Sequence, residues 1–284
     1  MSLNLPQVTL CAADSATPRL AAQALARCTA QARFARTLLF THADLDAGPA
    51  LIIKIAPLES REAYSNFMLS DLGTHIETSH VLVVQWDGFI TDAACWDDAF
   101  LDYDYIGARW PAGLPGRDVG NGGFSLRSRR LLEALRDPRL RCEPGTPEDV
   151  VICSLWRDRL EEQHGIRFAP LEIAARFAYE LDPRPGPTFG FHGMFNLPDH
   201  LQPTEVLALV RQLQPRAVFH PHFALLAAQY MVRGDVRMAA ELVARLVAAA
   251  GESDPSPMLA QALGSKDAAS QLLSVGRFLA LSRA

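Results

Sequence analysis

Apolar and polar positions follow two rhythms along the first two thirds of the chain. Short apolar runs at residues 8–12 (VTLCA), 37–40 (TLLF), 51–55 (LIIKI) and 80–85 (HVLVVQ) have the length of buried strands. Between them lie stretches with helical spacing. Thr17-Pro18 reads as an N-cap followed by proline at the first helical position, opening an alanine-rich helix to about Ala32. Residues 60–75 place Tyr64, Phe67, Met68 and Leu72 at helical intervals. The order β-α-β-β-α-β predicts an α/β fold with a mostly parallel sheet flanked by helices. Further strands are expected at residues 105–108 and 123–126, and a long helix after Thr146 with apolar residues at Ile152, Leu155, Trp156 and Leu160.

The rhythm changes near Leu197-Pro198. Residues 204–284 show only helical patterns. Residues 223–232, a break at Arg233-Gly234-Asp235, and residues 236–249 read as one helical hairpin, with no second clear copy. Residues 251–257 read as a loop, and a last helix is expected from about Asp267 to Leu281. Two domains are therefore expected, residues 1–198 and an all-helical extension over residues 199–284.

Composition narrows the function classes. A net charge of −5 without a lysine or arginine run argues against nucleic-acid binding. No stretch approaches 18 uninterrupted apolar residues, so no transmembrane span is expected. Residues 1–7 lack the basic start and apolar core of a secretory signal, so a cytoplasmic protein is expected. Cys11, Cys28, Cys95, Cys142 and Cys153 are odd in number and lack C-x-x-C spacing, which favours free, mostly buried thiols over a disulfide framework or zinc site.

Four clusters carry candidate chemistry. Gln85-Trp86-Asp87-Gly88 follows an apolar strand directly, where ligands bind in open α/β sheets. Asp87 there reads either as a divalent-metal ligand or as a turn residue capping a loop. Residues 119–127 (VGNGGFSLR) place Asn121 before Gly122 and Gly123, letting the backbone approach a ligand; a tight Asn-Gly hairpin turn explains the same residues. The pattern is not G-x-G-x-x-G. Thr146-Pro147-Glu148-Asp149 suits a helix start by capping and dipole effects alone, yet Asp149 at a cleft would also serve as a general base. His192 within residues 189–193 (FGFHG) reads as a structural histidine or as a ligand completing a metal site with Asp87. His220 and His222, in a proline-containing linker, receive no role.

The order QWDG, GNGGFSLR, PEDV, FGFHG, with Tyr103-Asp104-Tyr105-Ile106-Gly107-Ala108-Arg109-Trp110 between the first two, resembles the GT-A glycosyltransferases. It is most similar to a little-characterised bacterial and fungal family carrying Q-x-D-G, W-D-Y-x-G-A-x-W and G-N-G-G-F-S-L-R. The resemblance spans roughly residues 5–197. It implies a GT-A-like fold and transfer of a sugar from a nucleotide sugar, UDP-linked in expectation, to a glycan, glycolipid or other hydroxyl acceptor. It further implies Asp149 as the base of an inverting displacement and Asp87 with His192 as ligands of Mn²⁺ or Mg²⁺. Asn121, Gly122 and Gly123 would line the sugar pocket. Ala13 and Asp14 would lie by the nucleotide base and ribose, with Gln85 nearby and Lys54 reaching the diphosphate. The D-x-D position here reads Gln85-Trp86-Asp87, so one acid is replaced by a weaker amide ligand, and metal-independent transfer stays open. The missing acid and the helical tail also motivate a catalytically inactive binding or scaffold protein. The tail is expected to contact a homo-oligomer mate, another protein, or the inner face of a membrane. A nucleotidyltransferase would need a glycine-rich basic loop after the first strand, which Ala12-Ala13-Asp14-Ser15 does not supply.

Overall fold

The computed structural model describes residues 3–114, 117–140, 144–182 and 186–281. The chain folds into two compact units, Met1–His192 and Gly193–Ala284.

The first unit is mixed α/β. Strands β1 (Leu3–Ala13), β2 (Ala32–Thr41), β3 (Leu51–Lys54), β4 (His80–Val84), β5 (Tyr105–Ile106) and β8 (Phe124–Ser128) form one sheet in the order β3-β2-β1-β4-β8-β5. Pairings among the first four are parallel, while β8 runs antiparallel to both neighbours. The sheet is thus mostly parallel, as the apolar runs predict. β1 is longer than the apolar run 8–12 because the chain tolerates Pro6, which lacks an N–H, at an irregularity in the β1–β2 register between Leu5 and Thr9. Helix α1 (Pro18–Gln31) packs against β1, β2 and β4.

Two smaller ribbons complete the unit: β6 (Arg109–Leu114) with β7 (Arg117–Val119), and β9 (Ala178–Tyr179) with β10 (Gly190–Phe191). One sheet face, with Cys11, Phe40, Val81, Val83 and Tyr105, belongs to a core that also contains Phe67, Met68, Leu72, Leu131, Ile152 and Leu160. These come from α2 (Arg61–Asn66) with its continuation, α3 (Arg129–Ala134), α4 (Glu148–Val150) with its continuation, and α5 (Arg157–His164). Helix α6 (Leu171–Phe177) leads into β9.

Several local expectations change. Thr17 does not cap α1 through its side chain; its hydroxyl instead donates to Asp14, whose carboxylate also accepts the Ala16 and Thr17 amides. Pro147 stands one position earlier than expected, at the N-cap. The helical stretches 60–75 and 148–164 are interrupted. Both widen into a π turn, at Phe67–Asp71 and Val151–Leu155, which shifts the inward face. Of the apolar residues of this helix, Leu155 is therefore exposed, while Ile152, Trp156 and Leu160 are buried. Cys11, Cys28 and Cys153 are buried free thiols, Cys95 is half-buried and also free, and Cys142 lies outside the described residues. Burial pushes the Cys11 and Cys28 thiols up to about 12, which leaves them inert.

The second unit is helical: α7 (Pro203–Val210), α8 (Pro215–Val218), α9 (Pro221–Val232), α10 (Val236–Ala250), α11 (Ser256–Leu263) and α12 (Lys266–Leu281). The sequence shows one hairpin, α9–α10; the structure adds a shorter one, α11–α12. α11 packs on α9 and α12 on α10. Gly276 sets the α10–α12 approach, since a Cβ there would lie 2.6 Å from Val243 Cγ1. The prolines at 255 and 257 mask α11 in the sequence; Pro257 sits in its first turn, where its missing N–H costs nothing. His220 caps α9 by accepting the His222 amide at 3.2 Å. No described helix is long and apolar enough to cross a membrane.

Candidate functional site

Strand order turns at β1: the chain moves from β1 to β2 and β3 on one side, then returns to β4 on the other. The carboxyl ends of β1 and β4 therefore lie at the switch point where open α/β sheets bind ligands. Ala13 ends β1 and is nearly buried. Asp14 follows, its amide donating to the Phe40 carbonyl and its carboxylate anchoring the start of α1. Burial pushes the Asp14 carboxyl above the usual carboxylate range, against the pull of its hydrogen bonds, and the charge of Asp87 adds to that push. The two strand tips thus feel each other electrostatically.

Four sequence-predicted residues meet beyond β4. His192 Nε2 stands 3.3 Å from Asp87 Oδ1 and 3.2 Å from Gln85 Oε1. Its Nδ1 stands 3.0 Å from Asn121 Nδ2. Glu180, which carries no motif in the sequence, supplies a second carboxylate 2.9 Å from Nδ1. Asp87 and Glu180 are both buried. Burial works against charging His192, but the two carboxylates outweigh it and hold its pKa well above the ordinary imidazole value. Gln85 is itself aimed by its side-chain amide, which donates to Tyr64 Oη at 3.1 Å.

The 121–123 loop is packed against this cluster. The Gln85 amide donates to the Gly123 carbonyl at 2.8 Å. A Cβ on Gly123 would fall 2.1 Å from His192 Nε2, and one on Gly122 would fall 2.2 Å from Glu148 Oε1. The space that both glycines leave is thus taken by the protein's own side chains. Asn121 holds φ +63°, a left-handed conformation that asparagine tolerates better than most residues, while its Oδ1 accepts the Phe124 amide. No hairpin turn forms here; the loop leads from β7 into β8, which belong to different sheets.

Asp149 reaches the same loop from the other side. Its Oδ2 accepts the Gly122 amide at 3.1 Å, and it is half-buried. Behind it lies a pair that motif reading missed. Arg127, fully buried on β8, donates through Nη2 to Glu148 Oε1 at 2.9 Å and through Nε to Ser125 Oγ at 3.0 Å. Its guanidinium carbon lies 5.6 Å from the Tyr105 ring centroid, and Tyr105 Oη donates to the Asn121 carbonyl at 3.1 Å. Burial pushes the Glu148 carboxyl up against the pull of Arg127. The sequence signal was available: an arginine inside a strand buried on both faces requires a counter-charge.

Lys54 does not join the group. It ends β3, three strand spacings from β4, or about 14 Å at ~4.8 Å per spacing. There it pairs with Asp44 at 2.5 Å and donates to the His42 carbonyl.

The donor set beyond β4 is compatible with a divalent cation in one respect. Neighbouring ligands of an octahedral ion bonded at about 2.1 Å are separated by roughly 3.0 Å, close to the spacing of Gln85 Oε1 and Asp87 Oδ1 from His192 Nε2. Among the described residues, no three His, Cys, Asp or Glu side chains are grouped so as to hold a metal. A metal would rely on the amide of Gln85 as its third protein ligand.

Comparison with known proteins adds the following. A family model described as "Protein of unknown function (DUF5672)" matches residues 51–192, half of the chain and the stretch that carries the cluster. No curated protein matches. Among solved structures, the apo-form glycosyltransferase GlyE of Streptococcus pneumoniae TIGR4 aligns at 12% identity and TM-score 0.40, over 66% of this chain and 54% of that one. The chain thus spans about half the length of GlyE. The mannosyltransferase PcManGT of Pyrobaculum calidifontis, in complex with GDP-Man and Mn²⁺, aligns at 14% identity and TM-score 0.39, over 99% of this chain and 89% of that one.

Proposed function

The chain belongs to the DUF5672 family, and from that premise we propose that it is a glycosyltransferase of GT-A-like fold, transferring a sugar from a nucleotide sugar, UDP-linked, to a hydroxyl acceptor such as a glycan. One observation carries the reading. Asp87, Asn121, Glu180 and His192 converge beyond β4, beside the β1–β4 switch, and Asp149 is held against the adjacent Gly122. Acidic side chains set around a switch point of this kind suit a polyhydroxylated substrate.

In this reading Ala13 and Asp14 flank the base and ribose of the donor. Asp87, His192 and the Gln85 carbonyl would hold a divalent cation, which when bound neutralises diphosphate charge. Asp149 accepts the acceptor hydroxyl's proton while that oxygen bonds to the anomeric carbon and the bond from that carbon to phosphate breaks, releasing the nucleoside diphosphate. The Gly122 amide orients Asp149 and leaves its carboxylate further lone pairs for the proton.

The test is a melting experiment with UDP, with and without Mn²⁺. At a hundred times the Kd, binding stabilises by about 2.7 kcal/mol, which raises the melting temperature measurably. Absence of a shift with any nucleoside diphosphate would overturn the reading. Asp149→Asn is expected to abolish transfer and leave the UDP shift intact; retained transfer would remove Asp149 as base. The alternative of a non-catalytic binding protein draws on the single acid at Gln85-Trp86-Asp87. It predicts a UDP shift in wild type without donor hydrolysis or transfer.

A further inference from the structure

Glu180 faces two ways. Besides its contact with His192, it lines a cavity of about 210 Å³ whose walls also include Arg109, Leu171, Ala175, Tyr179 and Asp182. We infer that this cavity is a subsite for one neutral, hydroxyl-rich ring, a single monosaccharide unit, with Glu180 accepting its hydroxyls. The inference rests on the sugar-transfer reading and deepens it by locating the sugar.

Size, charge and surface chemistry each contribute. The volume lies below the ~300–1,000 Å³ typical of drug-sized pockets, which suits one ring and excludes a whole nucleotide. The charged walls are Arg109, Glu180 and Asp182, two negative against one positive, so a phosphate or carboxylate ligand is disfavoured. Arg109 Nε pairs with Asp182 Oδ2 at 3.1 Å; these two side chains are partly exposed as a whole, whereas Glu180 is buried. Leu171 and Ala175 stand one turn apart on α6, on one helix face, and form an apolar wall with a small side chain at its middle. Tyr179 adds an aromatic surface. An apolar wall with a few well-placed polar groups is how a compact ligand gains both burial and orientation. A sugar ring has apolar C–H surface for the first and vicinal hydroxyls for the carboxylate.

The sugar has two sources, the donor or the acceptor, and the experiment separates them. Ligand-observed NMR titration with free glucose, galactose, mannose and N-acetylglucosamine is run on wild type and on Ala175→Leu, which fills the cavity from its apolar wall. Wild type is expected to bind at least one sugar, with Ala175→Leu weakening it ten-fold or more while the UDP melting shift stays unchanged. Leu171→Phe fills the same space from the neighbouring turn and replaces Ala175→Leu if that variant does not fold. Competition by the UDP-sugar bearing the bound monosaccharide assigns the cavity to the donor; simultaneous binding assigns it to the acceptor. Binding of no sugar, or equal binding by wild type and the filled variants, overturns the inference. A UDP shift with no sugar binding removes only the subsite. Sugar binding lost in Ala175→Leu, with no UDP shift in wild type, removes only the nucleotide-sugar reading.

Discussion

Removing Arg127 creates a protein whose stability depends on pH in a way that can be worked out in advance. Its side chain is fully buried, and that of Glu148 is 6% exposed. Arg127→Met takes away the 2.9 Å pair and the bond to Ser125 while nearly conserving volume. Breaking a buried pair from one side costs about 3–5 kcal/mol. The orphaned Glu148, however, has an escape: it takes up a proton. Burial already pushes its carboxyl upward and Arg127 alone among the leading influences on it supplies an opposing charge. Without Arg127 the folded protein therefore keeps, towards neutral pH, a proton on Glu148 that the unfolded chain has already released at pH ~4.3. The native state then binds more protons than the unfolded state, so stability falls as pH rises, by about 1.4 kcal/mol per unit. Once wild-type Glu148 has ionised, the gap between wild type and Arg127→Met is expected to widen by up to about 1.4 kcal/mol per unit of pH, because the variant still holds its proton. Glu148→Gln makes the opposite orphan, a guanidinium that cannot discharge, so its penalty is large and flat as pH rises. Arg127→Met combined with Glu148→Gln should remove the pH dependence and recover part of the loss. Urea unfolding followed by tryptophan fluorescence suits the measurement, because Trp86, Trp96, Trp110 and Trp156 all lie in the first unit. A gap between wild type and Arg127→Met that stays constant as pH rises from about 5 to about 9 would refute the reasoning.

Other outcomes follow from single contacts. Gly123→Ala places a methyl 2.1 Å from His192 Nε2 and must displace that ring; a loss of about 1–3 kcal/mol is expected in urea unfolding, with the UDP melting shift reduced. Asn121→Ala keeps φ +63° but loses the bond to the Phe124 amide and the side chain packed against His192, so about 1–3 kcal/mol should be lost; stability equal to wild type would show that the loop relaxes. Gly276→Val drives a side chain into Val243 and should lower the melting temperature seen by far-UV circular dichroism. An unchanged melting temperature would mean that α10 and α12 separate without cost.

The parallel half of the sheet is legible because each strand is a continuous apolar run, which periodicity detects. The antiparallel strand β8 is located by its residues but its placement is not, since pairing between β4 and β5 depends on contacts distant in sequence. The π turns are invisible for another reason: they alter which residues face inward without changing composition, and Leu155 is exposed as a result. In the site, Gln85, Asp87 and His192 are named by their motifs and meet in space. Glu180 is missed because it follows a two-residue strand and has no spacing relation to the histidine it contacts. Lys54 stands apart from the cluster because the end of a strand marks an edge of the sheet without saying how far along that edge a side chain lies from the others.

The direction of β8 has one more consequence. Its residues alternate between the two faces of the sheet, and its register places Arg127 opposite Val81 and Phe124 opposite Val84. A slip by one residue would turn the guanidinium to the other face, away from Glu148. The same slip would carry the Gly123 carbonyl away from the Gln85 amide and the loop away from His192. Misaligned chains would then be both unstable and without a site, so correct pairing of these two strands is checked twice, once by the arginine in the interior and once by the glycines at the rim.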